Sequence, residues 1–210
     1  ITLEGMTLAF LGALTDAGAK RATEEMEKSV REHPLEVRDL LSLASLYRLQ
    51  GVNNSALFEK ALETLQAAAA VAPHRLEVFY ETALTYVSIG DESKARAAIR
   101  EARELHQENG RTLWHEALVE YQLHDIDRAL TALTQSDRLG YDRRSISSLL
   151  LAIANDSPVK FLTPSIVRKF KDAADRPGSD RLYRASYIIS LFRSGSEAAA
   201  LSEITLLEND

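Results

Sequence analysis

The chain has 210 residues, 45% hydrophobic and 27% charged, with a formal net charge of -6. That is long enough to bury a core, and its acidic balance argues against a protein built to coat nucleic acid, which needs a surplus of lysine and arginine. With no cysteine, disulfides, thiolate metal sites and cysteine catalysis are excluded. Nine glycines and five prolines among many alanines favour helix over sheet.

The numbering opens on Ile1 rather than Met, so the expectation is a processed chain or one excised from something longer. Apolar residues Leu3, Met6, Phe10, Leu11 and Leu14 recur at helical spacing and predict a helix over 1–17, ending at Asp16 to Gly18. Its apolar run is too short to span a bilayer, which takes roughly 20 residues. No basic region precedes it, so it is not an intact signal peptide. A second amphipathic helix over 19–32 places Ala22, Met26, Ser29 and Val30 inward, with Pro34 past its end. Together the two form an N-terminal hairpin, residues 1–34.

Residues 35–142 repeat. Ala22, Ala61, Ala95 and Ala129 hold one place in successive second helices, at intervals of 39, 34 and 34 residues. Met26, Leu65, Ile99 and Leu133 keep the same spacing, as do Ser29, Ala68, Ala102 and Ser136. In the first helices Ala44, Ala83 and Ala117 stay in step. Small residues let the two helices of a hairpin approach closely, and large ones a turn away fill the space between hairpins. Gly51, Gly90 and His124 close the short turns. The longer first interval falls at 52–56, in a turn, where extra length costs least. That turn also carries Asn53-Asn54-Ser55, which matches a glycosylation acceptor.

A 34-residue helix–turn–helix period resembles the tetratricopeptide family over about two-thirds of the chain. The resemblance implies an all-α, right-handed α-solenoid of about six hairpins. In the third repeat, strict register sends Leu113 and Ala117 to packed places and leaves Glu116 and Glu120 near a seam. Trp114, Leu118 and Tyr121 then face the inner side. Residues 143–210 read as degenerate C-terminal hairpins. A helix over 145–154 is partnered by one over 163–174, which Thr163 caps and Pro164 opens. Helices over 180–193 and 196–208 make the last pair around Gly195, with Tyr187, Ile188 and Leu191 facing Ala200, Ile204 and Leu207.

No catalytic constellation is present. His115-Glu116 begins like a zinc-protease helix, but Val119 stands where the second histidine belongs. There is no glycine-rich phosphate loop and no serine elbow. Arg143-Arg144 and Arg168-Lys169-Lys171 are basic clusters that read as solvated helix ends. The expectation is a non-enzymatic protein without cofactor or metal.

The first helices are the better candidates for function. In tetratricopeptide arrays they line the inner surface, and the register places Arg38, Leu41, Ser45 and Arg48 there, then Glu77, Tyr80, Glu81 and Leu84. The third repeat adds Arg111, Trp114, His115, Leu118 and Tyr121. Tyr80, Trp114 and Tyr121 make an expected aromatic shelf flanked by Arg38, Arg48 and Arg111, the residue types that anchor binding surfaces. The carboxylate clamp of co-chaperone domains does not carry over. Its places hold Leu41, Ser45, Glu81, Arg111 and His115, and Glu81 repels a carboxylate.

A narrower resemblance rests on the Leu-x-Ser-Leu-Ala-Ser-Leu-Tyr helix, Ala72-Pro73-His74-Arg75 leading into Phe79-Tyr80, and Leu139-Gly140-Tyr141. These are similar to the tetratricopeptide domains that follow the membrane part of bacterial O-antigen ligase and polymerase-like proteins. That resemblance implies an extracytoplasmic recruitment domain, periplasmic or at the cell surface. The expected partner is a protein or peptide segment, with no nucleic acid and no membrane span in this chain. The alternative is a structural subunit that stacks end to end through its apolar terminal hairpins.

Overall fold

The structure, a computed structural model, describes residues 16–209. The helix expected over 1–14 lies outside them. Among the described residues there are eleven α-helices: α1 (Asp16–Glu32), α2 (Val37–Gly51), α3 (Ala56–Val71), α4 (Leu76–Ile89), α5 (Glu92–Leu105), α6 (Gly110–Gln122), α7 (Ile126–Arg138), α8 (Arg143–Asp156), α9 (Pro164–Ala174), α10 (Arg181–Arg193) and α11 (Glu197–Asn209). The described residues fall into two compact units that divide between residues 105 and 106. No described helix is long and apolar enough to cross a membrane.

In the first unit α2 pairs with α3 and α4 with α5, while α1 packs on α2 and α4 on both α2 and α3. The repeat positions explain the pairing. Ala44, Ala61, Ala68, Ala83, Ala95 and Ala102 are each at most 1% exposed. A methyl group at each crossing lets helix backbones come together, and Leu65 and Ile99 fill the volume beside them. Asp16 to Gly18, expected as a break, belongs to α1 instead. Polar links fix α1 to α2: the Tyr47 hydroxyl donates to Glu27 Oε1 at 2.6 Å, and Gln50 Nε2 donates to Thr23 Oγ1 at 2.5 Å.

The turns use different devices. Gly90 adopts φ +86° and its N–H donates back to the carbonyls of Tyr86 and Val87, ending α4 in a left-handed cap. His124 takes the same region at φ 62°, which a polar residue tolerates better than a branched one. Gly51 needs no such dihedral. It is the last residue of α2, and a side chain there would run into the Phe58 ring of α3.

In the second unit α6 pairs with α7, and the strict register holds: Leu113 and Ala117 are 4% and 0% exposed. The seam glutamates are accommodated. Glu120 is buried, with the guanidinium of Arg128 on α7 at 3.9 Å. Ser136, in the place of Ala68 and Ala102, donates to the Gly110 carbonyl at 2.7 Å where α6 starts against α7.

The helices after α7 depart from the expected pairing. Asp142 caps α8, and Thr163 with Pro164 opens α9 as expected. Yet α8 packs chiefly on α10, and α9 on α10 and α7, rather than on each other. A short 3-10 turn (Val159–Phe161) lies in the connection over 157–163, bracketed by Pro158 and Pro164. The side chains explain the separation. Ile146, Leu149, Leu150, Ile153, Ile166 and Phe170 are all buried in one cluster, too bulky for the close crossing that alanines give. Tyr187, Ile188, Leu191 and Ala200 join that cluster, so the last pair, α10 and α11, forms as the sequence predicts.

Candidate functional site

The face carried by the first helices is built separately in each unit. On α2, Arg38 is exposed at the helix start, and Glu36 caps that start by accepting from the Arg38 N–H at 3.2 Å. Leu41 is half-buried against Val37, Leu40, Ala68 and Val78. Arg48 reaches across to α4, where its Nε lies 3.3 Å from Glu81 Oε2. Both side chains are 14% exposed, which shields the pair from water and makes it worth more than a surface ion pair. Glu77 pairs with Arg75 at 3.4 Å.

Tyr80 does not belong to a displayed surface. It is 1% exposed, so the expected shelf loses its first member. The position expected to be displayed is core instead. Leu84, from the same stripe, is buried as well.

On α6, Asn109 caps the helix by accepting from the N–H groups of Arg111 and Thr112. Trp114 is half-buried against the core of the second unit, and its indole N–H donates to the Ser145 carbonyl at 3.1 Å. His115 is 1% exposed and stands edge-on to the Trp114 ring at 5.0 Å, so it too is interior. Leu118 and Tyr121 pack on the same core. The Tyr121 hydroxyl donates to Asp156 at 3.3 Å. Burial first, and the Asp156 carboxylate second, raise its phenol above the ordinary value.

Of the residues singled out from sequence, Arg38 is therefore exposed, while Leu41, Arg48, Glu81, Arg111, Trp114 and Tyr121 are half-buried. Tyr80 and His115 are packing residues. The basic clusters stay largely exposed, with some members tied within their own unit: Arg143 donates to the Gly178 carbonyl at 2.7 Å, Lys169 to Asp127 Oδ1 at 2.6 Å, and Lys171 pairs with Asp175.

No protein-family model matches the chain, and no curated protein matches its sequence. Solved structures do resemble its fold. A thermophilic tetratricopeptide protein of Thermus thermophilus superposes with a TM-score of 0.54 at 20% identity, over 90% of this chain and 95% of that one. A tetratricopeptide repeat protein from Parabacteroides merdae gives 0.53 at 18% identity, over 92% of this chain and 73% of that one. The fold is thus all-α and of tetratricopeptide type. The narrower likeness to O-antigen ligase domains has no counterpart among these matches.

Proposed function

We propose that this chain is a non-enzymatic protein-interaction scaffold in which the first-helix face of each unit, taken by itself, takes a peptide or protein segment. The observation that carries this reading is the half-buried state of the face. Leu41 and Arg48 in the first unit, and Arg111, Trp114 and Tyr121 in the second, are held by the fold while keeping part of each side chain in solvent, and Arg38 stands exposed beside them on α2. Held arginine and aromatic groups lose little entropy on binding and are the usual anchors of interfaces. The tetratricopeptide-type fold supports the same reading, and the extracytoplasmic setting is proposed with it from the narrower sequence likeness alone.

The test is capture from a peptide library by wild type and by the Arg38→Glu and Tyr121→Ala variants, with circular dichroism to verify folding. Each variant is expected to weaken binding of the selected peptides about fivefold or more, as loss of an anchor does. Unchanged binding by both variants contradicts the reading.

A second reading, end-to-end self-association, is favoured by the C-terminal helix. Leu201 and Leu206 of α11 are 57% and 55% exposed, two apolar side chains in one last helix. Sedimentation velocity over a concentration series tests it. Assembly that Leu201→Ser with Leu206→Ser dissolves supports it, and a strict monomer at high concentration removes it.

A further inference from the structure

A groove of about 550 Å³ in the first unit is lined by α3, α4 and α5. This is a different face from the one described above. Its floor is apolar, formed by Leu62, Phe79, Ala97 and Ala98, and its rim carries Glu59, Glu63 and Glu101. None of these three carboxylates makes an ion pair among the described residues. The one cation among the described lining residues, Lys94, is turned to Asp91 at 3.1 Å and lies over the Tyr86 ring at 5.3 Å.

The repeat itself shows what such carboxylates accept. By the 34-residue register, Asp127 and Thr131 of α7 occupy the places of Glu59 and Glu63 on α3. In the second unit those two places are filled: Lys169 of α9 donates to Asp127 Oδ1 at 2.6 Å, to the Asp127 carbonyl at 3.1 Å and to Thr131 Oγ1 at 2.9 Å. The group that fills them is a lysine on an amphipathic helix whose Ile166 and Phe170 are buried beside it. On α3 the acceptors are two carboxylates instead of one, and the lysine of α5, Lys94, is engaged by Asp91 instead.

We propose that the α3–α5 groove docks a cationic amphipathic helix of a partner protein. Its apolar face seats on Phe79 and the alanines, and its lysine or arginine side chains pair with Glu59 and Glu63. The stripe from Glu59 to Ala69 spans about three turns of helix, roughly 15 Å, which matches a short helical segment. Helix-in-groove recognition of this kind takes affinity from the apolar stripe and orientation from the flanking charges.

The experiment uses the full chain and two fluorescein-labelled helical peptides of about 18 residues with identical leucine and alanine faces. One is flanked by lysine and arginine, the other by glutamate. Fluorescence anisotropy is expected to show binding of the cationic peptide, weakening as salt is added, and none of the anionic one. Glu59→Gln with Glu63→Gln is expected to lower affinity about tenfold. Ala97→Trp, which fills the floor, is expected to abolish binding with the circular dichroism unchanged. Arg38→Glu is expected to leave it intact, which separates this site from the first-helix face. Equal binding of both peptides, or wild-type affinity in the double glutamine variant, overturns the proposal. So does a wild-type dimer that the double variant dissolves, because the occupant is then a second copy of the chain.

Discussion

The two units treat the same succession of helices in opposite ways. In the first, α4 and α5 cross closely on alanine, and α5 is thereby kept off α3, leaving the groove open. In the second, α8 and α9 meet bulky side chains instead, and α9 leaves its expected partner to lie against α7 and α10. Lys169 then closes over Asp127 and Thr131. Side-chain volume at a helix crossing thus decides whether a repeat keeps its groove or fills it from within.

The largest expected effect comes from removing what holds α9 in place. Phe170 is 1% exposed, and Phe170→Ala is expected to cost about 3–5 kcal/mol in urea unfolding. A cost under about 1 kcal/mol contradicts α9 being a core element of the second unit. Overpacking the close crossing in the first unit should cost less. Ala83→Leu, at a fully buried position, is expected to lose about 1–3 kcal/mol. Unaltered stability means that the alanine crossing is not what sets the α4–α5 spacing.

Much of this was legible in the sequence. The alanine, leucine and glycine periodicities placed the hairpins of 35–142, and the strict register of α6 held although it forced Glu120 inward. Arg128 answers that glutamate, and nothing in linear spacing marks the pair. The pairing of 145–154 with 163–174 was not legible, because periodicity reports which face of a helix is apolar and not which neighbour covers it. The same limit explains Tyr80 and His115, which lie on the expected stripe but at depths the pattern does not encode. Glu59 and Glu63 look like ordinary solvated glutamates until the groove beside them and their counterparts Asp127 and Thr131 are seen together.

Besides Tyr121 on Asp156, each unit holds a more deeply buried tyrosine against a carboxylate, Tyr47 on Glu27 and Tyr183 on Asp137. Burial first, then the neighbouring carboxylate, raises both phenols well above their ordinary value of 10.0. A raised folded pKa means that the folded state keeps a proton that the unfolded state releases. Stability is therefore whole below pH 10 and falls as pH rises beyond it, by at most about 1.4 kcal/mol per pH unit for each tyrosine. Tyr47→Phe and Tyr183→Phe, measured separately by alkaline urea titration, are each expected to flatten that slope. An unchanged slope in either variant contradicts the pairing in its unit.

The smallest effect expected on stability is that of Lys169→Met. The pair is partly exposed, so the loss should be under about 1 kcal/mol. A loss of several kcal/mol makes Lys169 a support of the fold rather than a closure of the α7 surface.

The contrast between the units is tested most directly by giving the first unit the cation that the second already has. Ala97→Lys places an amine in the groove that Glu59 and Glu63 also line. The predicted result, read by anisotropy, is loss of the cationic helical peptide with the fold intact. Capture at wild-type affinity by the Ala97→Lys protein contradicts the account.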